Sequence, residues 1–335
     1  MNDGRTMQAV QIREPGGPEV LEMAVRPIPE PAAGEVLIKV AAAGVNGPDL
    51  MQRRGLYPAP AGASDLPGLE ISGVVAACGA GVQRWKTGDE VLALTNGGGY
   101  AQYCTADERQ CLPIPRGVDI VDAAGLAETY FTVWSNLFLE GGLKAGQTLL
   151  VHGGAGGIGT TAIQLAKAFG VSVVATDSPE QRCKICADLG ADRVVDYKQE
   201  DFVEVVREMG GADMILDIVG GPNVEANFKA AKHGGRIVQI AFAAGSKVTV
   251  NLMPVMLKRL VYTGSTLRTR PPEFKARVAQ ELLRNVWPKI EAGDIRVVTS
   301  RRFALDDAGK AHATMEESSH TGKVLLVVGE ACADR

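Results

Sequence analysis

The sequence predicts an α/β fold: a doubly wound parallel sheet accompanied by an irregular β-rich domain. Three observations point there. Eleven of the 17 prolines lie before residue 120, which argues against long helices in that stretch. From about Thr148 onward, short apolar runs alternate with stretches of helical spacing. And 335 residues, at a prior of about 150 per domain, suffice for two domains with a core each.

The first stretch offers short apolar, β-branched segments bounded by turn residues: Val36–Ala41, Ile71–Ala76 and Glu90–Leu94. Thr148–His152 then reads as an apolar strand, and Ile158, Ala162, Leu165, Ala166 and Phe169 recur at helical spacing. Val171–Thr176 is a second strand. Pro179–Leu189 opens with proline in its first turn, as a helix start does. Arg193–Asp196 (strand), Asp201–Met209 (helix), Met214–Ile218 (strand), Asn223–Lys232 (helix) and Arg236–Ala241 (strand) continue the alternation. Such βαβ units with short links build a parallel sheet. After about Arg270 come one helix, Glu273–Lys289, and a closing strand, Lys323–Val328, both expected to return to the first domain. No internal repeat or low-complexity segment interrupts this order.

Composition excludes several classes. Hydrophobic residues make up 46% and charged residues 22%, the balance of a soluble globular protein. Glycine is in excess, at 40 residues, but without a G-X-Y period, so collagen is excluded and many tight turns are implied. The net charge is −4, from 35 basic and 39 acidic residues, with no basic stripe for nucleic acid. No apolar run is long enough to span a membrane, and the opening MNDGRTMQAV lacks the apolar region of a signal peptide. Six cysteines (78, 104, 111, 183, 186 and 332) are scattered, as reduced thiols are. A cytoplasmic enzyme or ligand binder is expected.

The strongest local signal is LLVHGGAGGIGTTAIQLAK, residues 149–167. Gly153, Gly156 and Gly159 follow a strand and open a helix, the context that makes a glycine motif specific. No side chain there blocks a pyrophosphate, and the helix amides and dipole face the anion. Gly159 allows the helix to sit close to the strand. The bland alternative is a glycine-rich turn. Coenzyme choice should be read at the end of the second strand, at Thr176, Asp177 and Ser178. Asp177 suits the ribose hydroxyls of NAD and repels the 2′-phosphate of NADP, whereas Ser178 and Arg182 suit that phosphate. Asp177 also suits a helix cap. The residues leave the preference open.

Across residues 7–328 the chain resembles the zinc-independent quinone oxidoreductases of the medium-chain dehydrogenase/reductase superfamily, the zeta-crystallin-like group. The closest likeness is to the p53-inducible quinone oxidoreductase subgroup. The likeness rests on PGGPEVL (15–21), GEVLIKVAAAGVNGPDLMQRRGLYPAP (34–60), GLEISGVVAACGAGV (68–82), HGGAGGIGTTAIQLAK (152–167) and TGKVLL (321–326). It implies a GroES-like catalytic domain, residues 1–129 and 271–335, around a Rossmann NAD(P)H-binding domain, residues 130–270. A cleft between the two and a homodimer are implied as well.

Carried over residue by residue, the resemblance places Asn46 and Asp49 beside the nicotinamide and Tyr57 in the acceptor cleft, where its hydroxyl can donate to a developing oxyanion. Thr132 falls near the carboxamide. Gly156, Gly157, Ile158 and Gly159 form the pyrophosphate loop, with Ser178, Arg182 and Tyr197 around the adenosine 2′-phosphate. Ala241 and Phe242 lie beside the nicotinamide, and Arg268 and Lys323 reach the cofactor from the far side. Each has a plainer reading. Asn46 suits a turn, Tyr57 a packed surface ring, Thr132 a helix back-bond, Arg268 a solvated charge and Lys323 a snorkelling one. In zinc-dependent relatives a Cys and a His bind the catalytic metal; the matching positions here are Asn46 and Leu69, and leucine cannot ligate zinc. The loop that holds a structural zinc is missing, and Cys183 and Cys186 lack a second pair. No metal is expected.

The four histidines make no triad: His152 adjoins the glycine loop, and His233, His312 and His320 are expected on helix ends or loops. The expected activity is hydride transfer from NAD(P)H to a quinone or activated enone, an acceptor that needs no metal to polarise it. Family likeness favours NADPH, although many NADPH-using relatives carry Ala-Gly-Ser where this chain has Asp177-Ser178-Pro179. The alternatives are a 2-enoyl thioester reductase on the same fold, and a non-catalytic NAD(P)H-binding redox sensor or structural protein.

Overall fold

Thr148–His152 is buried at every position, as a central parallel strand covered by helices on both faces must be. That strand lies at the centre of a six-stranded sheet in the computed structural model, which describes residues 4–329. Cys332, counted above among the thiols, lies outside them. The described residues fall into two compact units.

One unit comprises Thr132–Leu267 and the short return Ala292–Ile295. Its strands run in the order Arg193–Asp196, Ser172–Asp177, Thr148–His152, Ala212–Asp217, Ala231–Gln239 and Val261–Gly264, all parallel. The progression reverses beside Thr148–His152, the switch point of a doubly wound sheet. Leu150, Val174, Val195, Ile215 and Ile237 bury one face against Phe202, Val206 and Phe228. The sequence reading needs three adjustments. The fifth strand begins at Ala231 rather than Arg236, Val261–Gly264 adds a sixth, and Pro179 precedes its helix, Glu180–Asp188, as the N-cap.

The other unit comprises the chain to Phe131, Arg268–Glu291 and the chain from Arg296. Its mixed sheet runs Thr299–Ala304, Lys323–Val327, Glu35–Val45, Glu70–Cys78, Glu90–Leu94 and Cys111–Pro113, with Tyr103–Asp107 also paired to Glu35–Val45. Only the first pair is parallel. Val36, Ile38, Ile71, Val91, Val324 and Leu326 form the middle of its core. The helix expected over Glu273–Lys289 is broken into Pro272–Asn285 and Trp287–Glu291. Pro288 supplies no amide and crowds the preceding turn, so it ends one helix and starts the next. His312, expected on a helix end or loop, lies inside the helix Ala308–Glu316 and is fully buried. His233 falls in a strand. Among the described residues no helix is long and apolar enough to cross a membrane.

Candidate active site

The glycine loop leaves the buried strand Thr148–His152 and enters the helix Gly157–Ala168, which no side chain caps. The Thr176 carbonyl accepts from the amides of Gly153 and Gly154, both at 3.0 Å, and so ties the loop to the neighbouring strand. A Cβ on Gly159 would lie 2.3 Å from the Gly153 carbonyl oxygen and 2.5 Å from the Gly154 Cα. Only glycine lets the helix start this close to the loop. Gly156, Gly157 and Ile158 stay partly exposed at the helix mouth.

Asp177 is only 4% exposed, and its carboxylate is fully engaged. Oδ2 accepts from the Ala155 amide at 2.8 Å; Oδ1 accepts from the Ser178 amide at 2.8 Å and from Arg182 Nε at 2.6 Å. It is a clamp between loop, strand end and helix, and it does not cap that helix. The Ser178 hydroxyl is buried with no hydrogen-bond partner among the described residues. Tyr197 is exposed and donates its amide to the Asp177 carbonyl. Beneath the loop runs a buried chain that sequence reasoning missed. The Thr176 hydroxyl meets His152 Nδ1 at 2.9 Å, and His152 Nε2 meets Asn227 Oδ1 at 2.8 Å. Asn227 Nδ2 donates to Asp217 at 2.9 Å. Burial lowers the His152 pKa, so the ring is neutral: it donates from Nε2 and accepts at Nδ1. Each partner comes from a different segment, so no local pattern announces the set. Thr132 is partly buried and its carbonyl accepts from Ser135 and Asn136, while Ala241 and Phe242 are exposed.

In the other unit, Asn46 begins the short helix Gly47–Arg53. Asp49 Oδ2 accepts from the Asn46 amide and Oδ1 from the Gly68 amide, both at 2.9 Å. Loss of water raises the Asp49 pKa to about 6, against the pull of those two amides. The Asn46 side chain donates to Glu70 Oε1 at 2.9 Å and accepts from Lys323 Nζ. Lys323 in turn pairs with Glu70 at 2.7 Å, their side chains 6% and 0% exposed. Lys323 therefore does not snorkel. Gly44 makes room for this pair, because a Cβ there would lie 2.1 Å from Glu70 Oε1.

Tyr57 lies half-buried with the Arg268 guanidinium 5.7 Å from its ring centre. Burial, then the charge of Glu128, raise the Tyr57 pKa. Arg268 is not a solvated charge: it is 6% exposed and donates to the Asn96 carbonyl and to Gln52 Oε1. Lys275, also buried, donates to Asn96 Oδ1 and to the Arg268 carbonyl, and loss of water lowers its pKa to about 8. Arg53 meets His312 Nδ1 at 3.3 Å, and the Tyr100 hydroxyl meets His312 Nε2 at 3.1 Å.

A dinucleotide and a zinc ion make different demands on these residues. A dinucleotide fits: the glycine cradle, the uncapped helix and the orphaned Ser178 hydroxyl leave donors for an anion. Zinc does not fit. Leu69 is buried and apolar, and the Asn46 amide is already bonded to Glu70 and Lys323. Among the described residues, no group of three or more His, Cys, Asp or Glu could hold a metal. Cys78, Cys104, Cys111, Cys183 and Cys186 are free.

Comparison with known proteins agrees with both units. A zinc-binding dehydrogenase family model matches residues 157–284, and an alcohol dehydrogenase GroES-like domain model matches residues 32–116. Human quinone oxidoreductase is 30% identical over 332 residues, covering 97% of this chain and 98% of that protein. The quinone oxidoreductase of Pseudomonas aeruginosa is 34% identical over 330 residues, covering 95% and 98%. The crystal structure of Escherichia coli quinone oxidoreductase complexed with NADPH superposes with a TM-score of 0.85 at 28% identity, covering 96% and 99%. The chain belongs to the quinone oxidoreductase family of the medium-chain dehydrogenase/reductase superfamily.

Proposed function

We propose that this chain reduces quinones or activated enones with NAD(P)H and without zinc. The Asn46–Glu70–Lys323 cluster carries the reading. An ammonium already satisfies the donors that would otherwise seek a cation, so the cluster offers no Lewis acid and calls for an acceptor that is electrophilic on its own. When bound, NAD(P)H supplies the hydride. The chain's own task is to bind, orient and exclude water. Gly156, Gly157, Ile158 and Gly159 hold the pyrophosphate, and Thr176 fixes that loop through its carbonyl. Thr132, Tyr197, Ala241 and Phe242 line the dinucleotide. Asn46 and Asp49 border the nicotinamide, with Lys323 acting there through Asn46. Tyr57, under Arg268, orients the acceptor oxygen. In this reading the chain is nearest the p53-inducible subgroup, which the stretches of likeness support, and works in the cytoplasm, which is compatible with its free thiols.

NADPH is the preferred coenzyme in this reading, since the Asp177 carboxylate is committed and the Ser178 hydroxyl is not. Fluorescence titration with NADPH and NADH, followed by turnover with 9,10-phenanthrenequinone and a 2-enoyl thioester, tests it. NADPH binds more tightly and the quinone turns over. Asp177→Ala weakens both coenzymes, because the glycine loop loses its clamp. A loss confined to NADH would assign Asp177 to the ribose instead. The chain forms a homodimer in this reading, supported by the exposed edge strand Val261–Gly264 and its neighbours Leu252, Met253, Met256 and Leu257.

A further inference from the structure

Seven ionisable side chains gather in the unit that holds Tyr57: Asp49, Glu70, Glu128 and Tyr57 itself, with Lys275, Arg268 and Lys323. The other two carboxylates are fully engaged. Asp49 accepts from the amides of Asn46 and Gly68. Glu70 accepts from Lys323 and Asn46 on one oxygen and from the Glu128 amide, at 2.7 Å, on the other. The three cations are held as well, Lys323 by Glu70 and the other two by Asn96, Gln52 and the Arg268 carbonyl.

Glu128 is the exception. It stands in the first turn of the helix Ala127–Val133, its amide fixed by Glu70, and it is partly exposed. Its carboxyl makes no hydrogen bond or ion pair among the described residues. Asp49 faces it from the helix Gly47–Arg53, Glu70 from its strand, Lys323 from the closing strand, Lys275 from the helix Pro272–Asn285 and Tyr57 from the turn after residue 53. Loss of water and the like charges of Glu70 and Asp49 raise its pKa to about 8, against Lys323 and Lys275. A neutral carboxylic acid carries an O–H to give away, and this one has no internal acceptor for it.

We propose that Glu128 donates the proton that completes reduction of an acceptor held at Tyr57. The inference rests on the reductase reading above and names the acid that reading lacks. Hydride addition from the bound dinucleotide leaves an electron pair on the acceptor oxygen. The Glu128 O–H bond breaks as an O–H bond forms on that oxygen, and the exposed edge of the carboxylate takes a proton back from water. One hydride and one proton enter per acceptor. Tyr57 stays neutral and orients the oxygen.

The test compares wild type, Glu128→Gln, Glu128→Asp and Tyr57→Phe, with NADPH and 9,10-phenanthrenequinone, across the neutral and alkaline range. Wild-type kcat falls as pH rises through about 8. Glu128→Gln loses about 10²–10³-fold in kcat and loses that limb, Glu128→Asp keeps the limb, and NADPH affinity changes less than about twofold. Infrared titration gives a readout without turnover. A protonated-carboxyl band disappears through about pH 8 in wild type and is missing from Glu128→Gln. Wild-type turnover with an unaltered Glu128→Gln profile, or no such band in wild type, overturns the role of Glu128 alone. A wild type that binds NADPH but reduces no quinone or enone overturns the reductase reading and this inference with it.

Discussion

Removing Lys323 leaves Glu70 with no counter-charge in a place where water does not reach. Breaking a buried pair from one side costs about 3–5 kcal/mol, whereas replacing both partners often costs little. Lys323→Met is therefore expected to lower the urea unfolding free energy by that amount, and Glu70→Gln in the same chain to recover most of it. A Lys323→Met chain as stable as wild type would show that the pair is not what holds Asn46. His312 adds a pH dependence. Burial first, then the charge of Arg53, lower its pKa to about 3, against Glu316 and with Arg54 assisting. The fold holds the ring neutral while the unfolded chain protonates it near the usual 6.5, so this contribution is complete above about pH 6.5 and is lost as pH falls towards about 3. Asp49, raised to about 6, works in the opposite sense: its contribution is complete below about 3.8 and is lost as pH rises through about 6. Unfolding midpoints measured from neutral to acid pH should fall less steeply in His312→Gln than in wild type. An identical slope would remove His312 as the responsible group.

Whole elements behave differently from single side chains. The helix Gly157–Ala168 depends on Gly159, where any Cβ meets backbone rather than a flexible side chain. Gly159→Ala is expected to cost about 1–3 kcal/mol of stability, as overpacking does. The same change should weaken NADPH binding in a fluorescence titration, and undiminished affinity would show that the loop can move aside. This element was legible from the sequence because strand, glycines and helix adjoin one another, so the signal is local. The broken helix at Pro288 carried its own marker. Val261–Gly264 and Thr299–Ala304 carried none. Each is an edge strand with a single neighbour, and exposed edges do not need the apolar alternation by which strands are recognised. The glycine loop was readable for the same local reason. Glu70, Glu128, Asn227 and Asp217 were not, because each acquires its meaning from partners far along the chain.

At the scale of the molecule, the exposed edge strand is the feature with the widest reach. Val261→Lys puts charge on an apolar edge and is expected to convert the proposed dimer to monomer in sedimentation, with nucleotide affinity retained. A monomeric wild type would overturn the dimer. The mixed sheet has a second consequence, one of timing. Its strand Glu35–Val45 pairs with Lys323–Val327, and Glu70 meets its counter-ion at Lys323. During synthesis the ribosome delivers the first of these segments long before the other. The parallel sheet between them, contiguous but for four residues, is fully translated well before the mixed sheet has its closing strand. The half of the protein that emerges first is thus the half that finishes second, and until then an apolar strand and a lone carboxylate wait on the nascent chain, a substrate for chaperones rather than a folded domain.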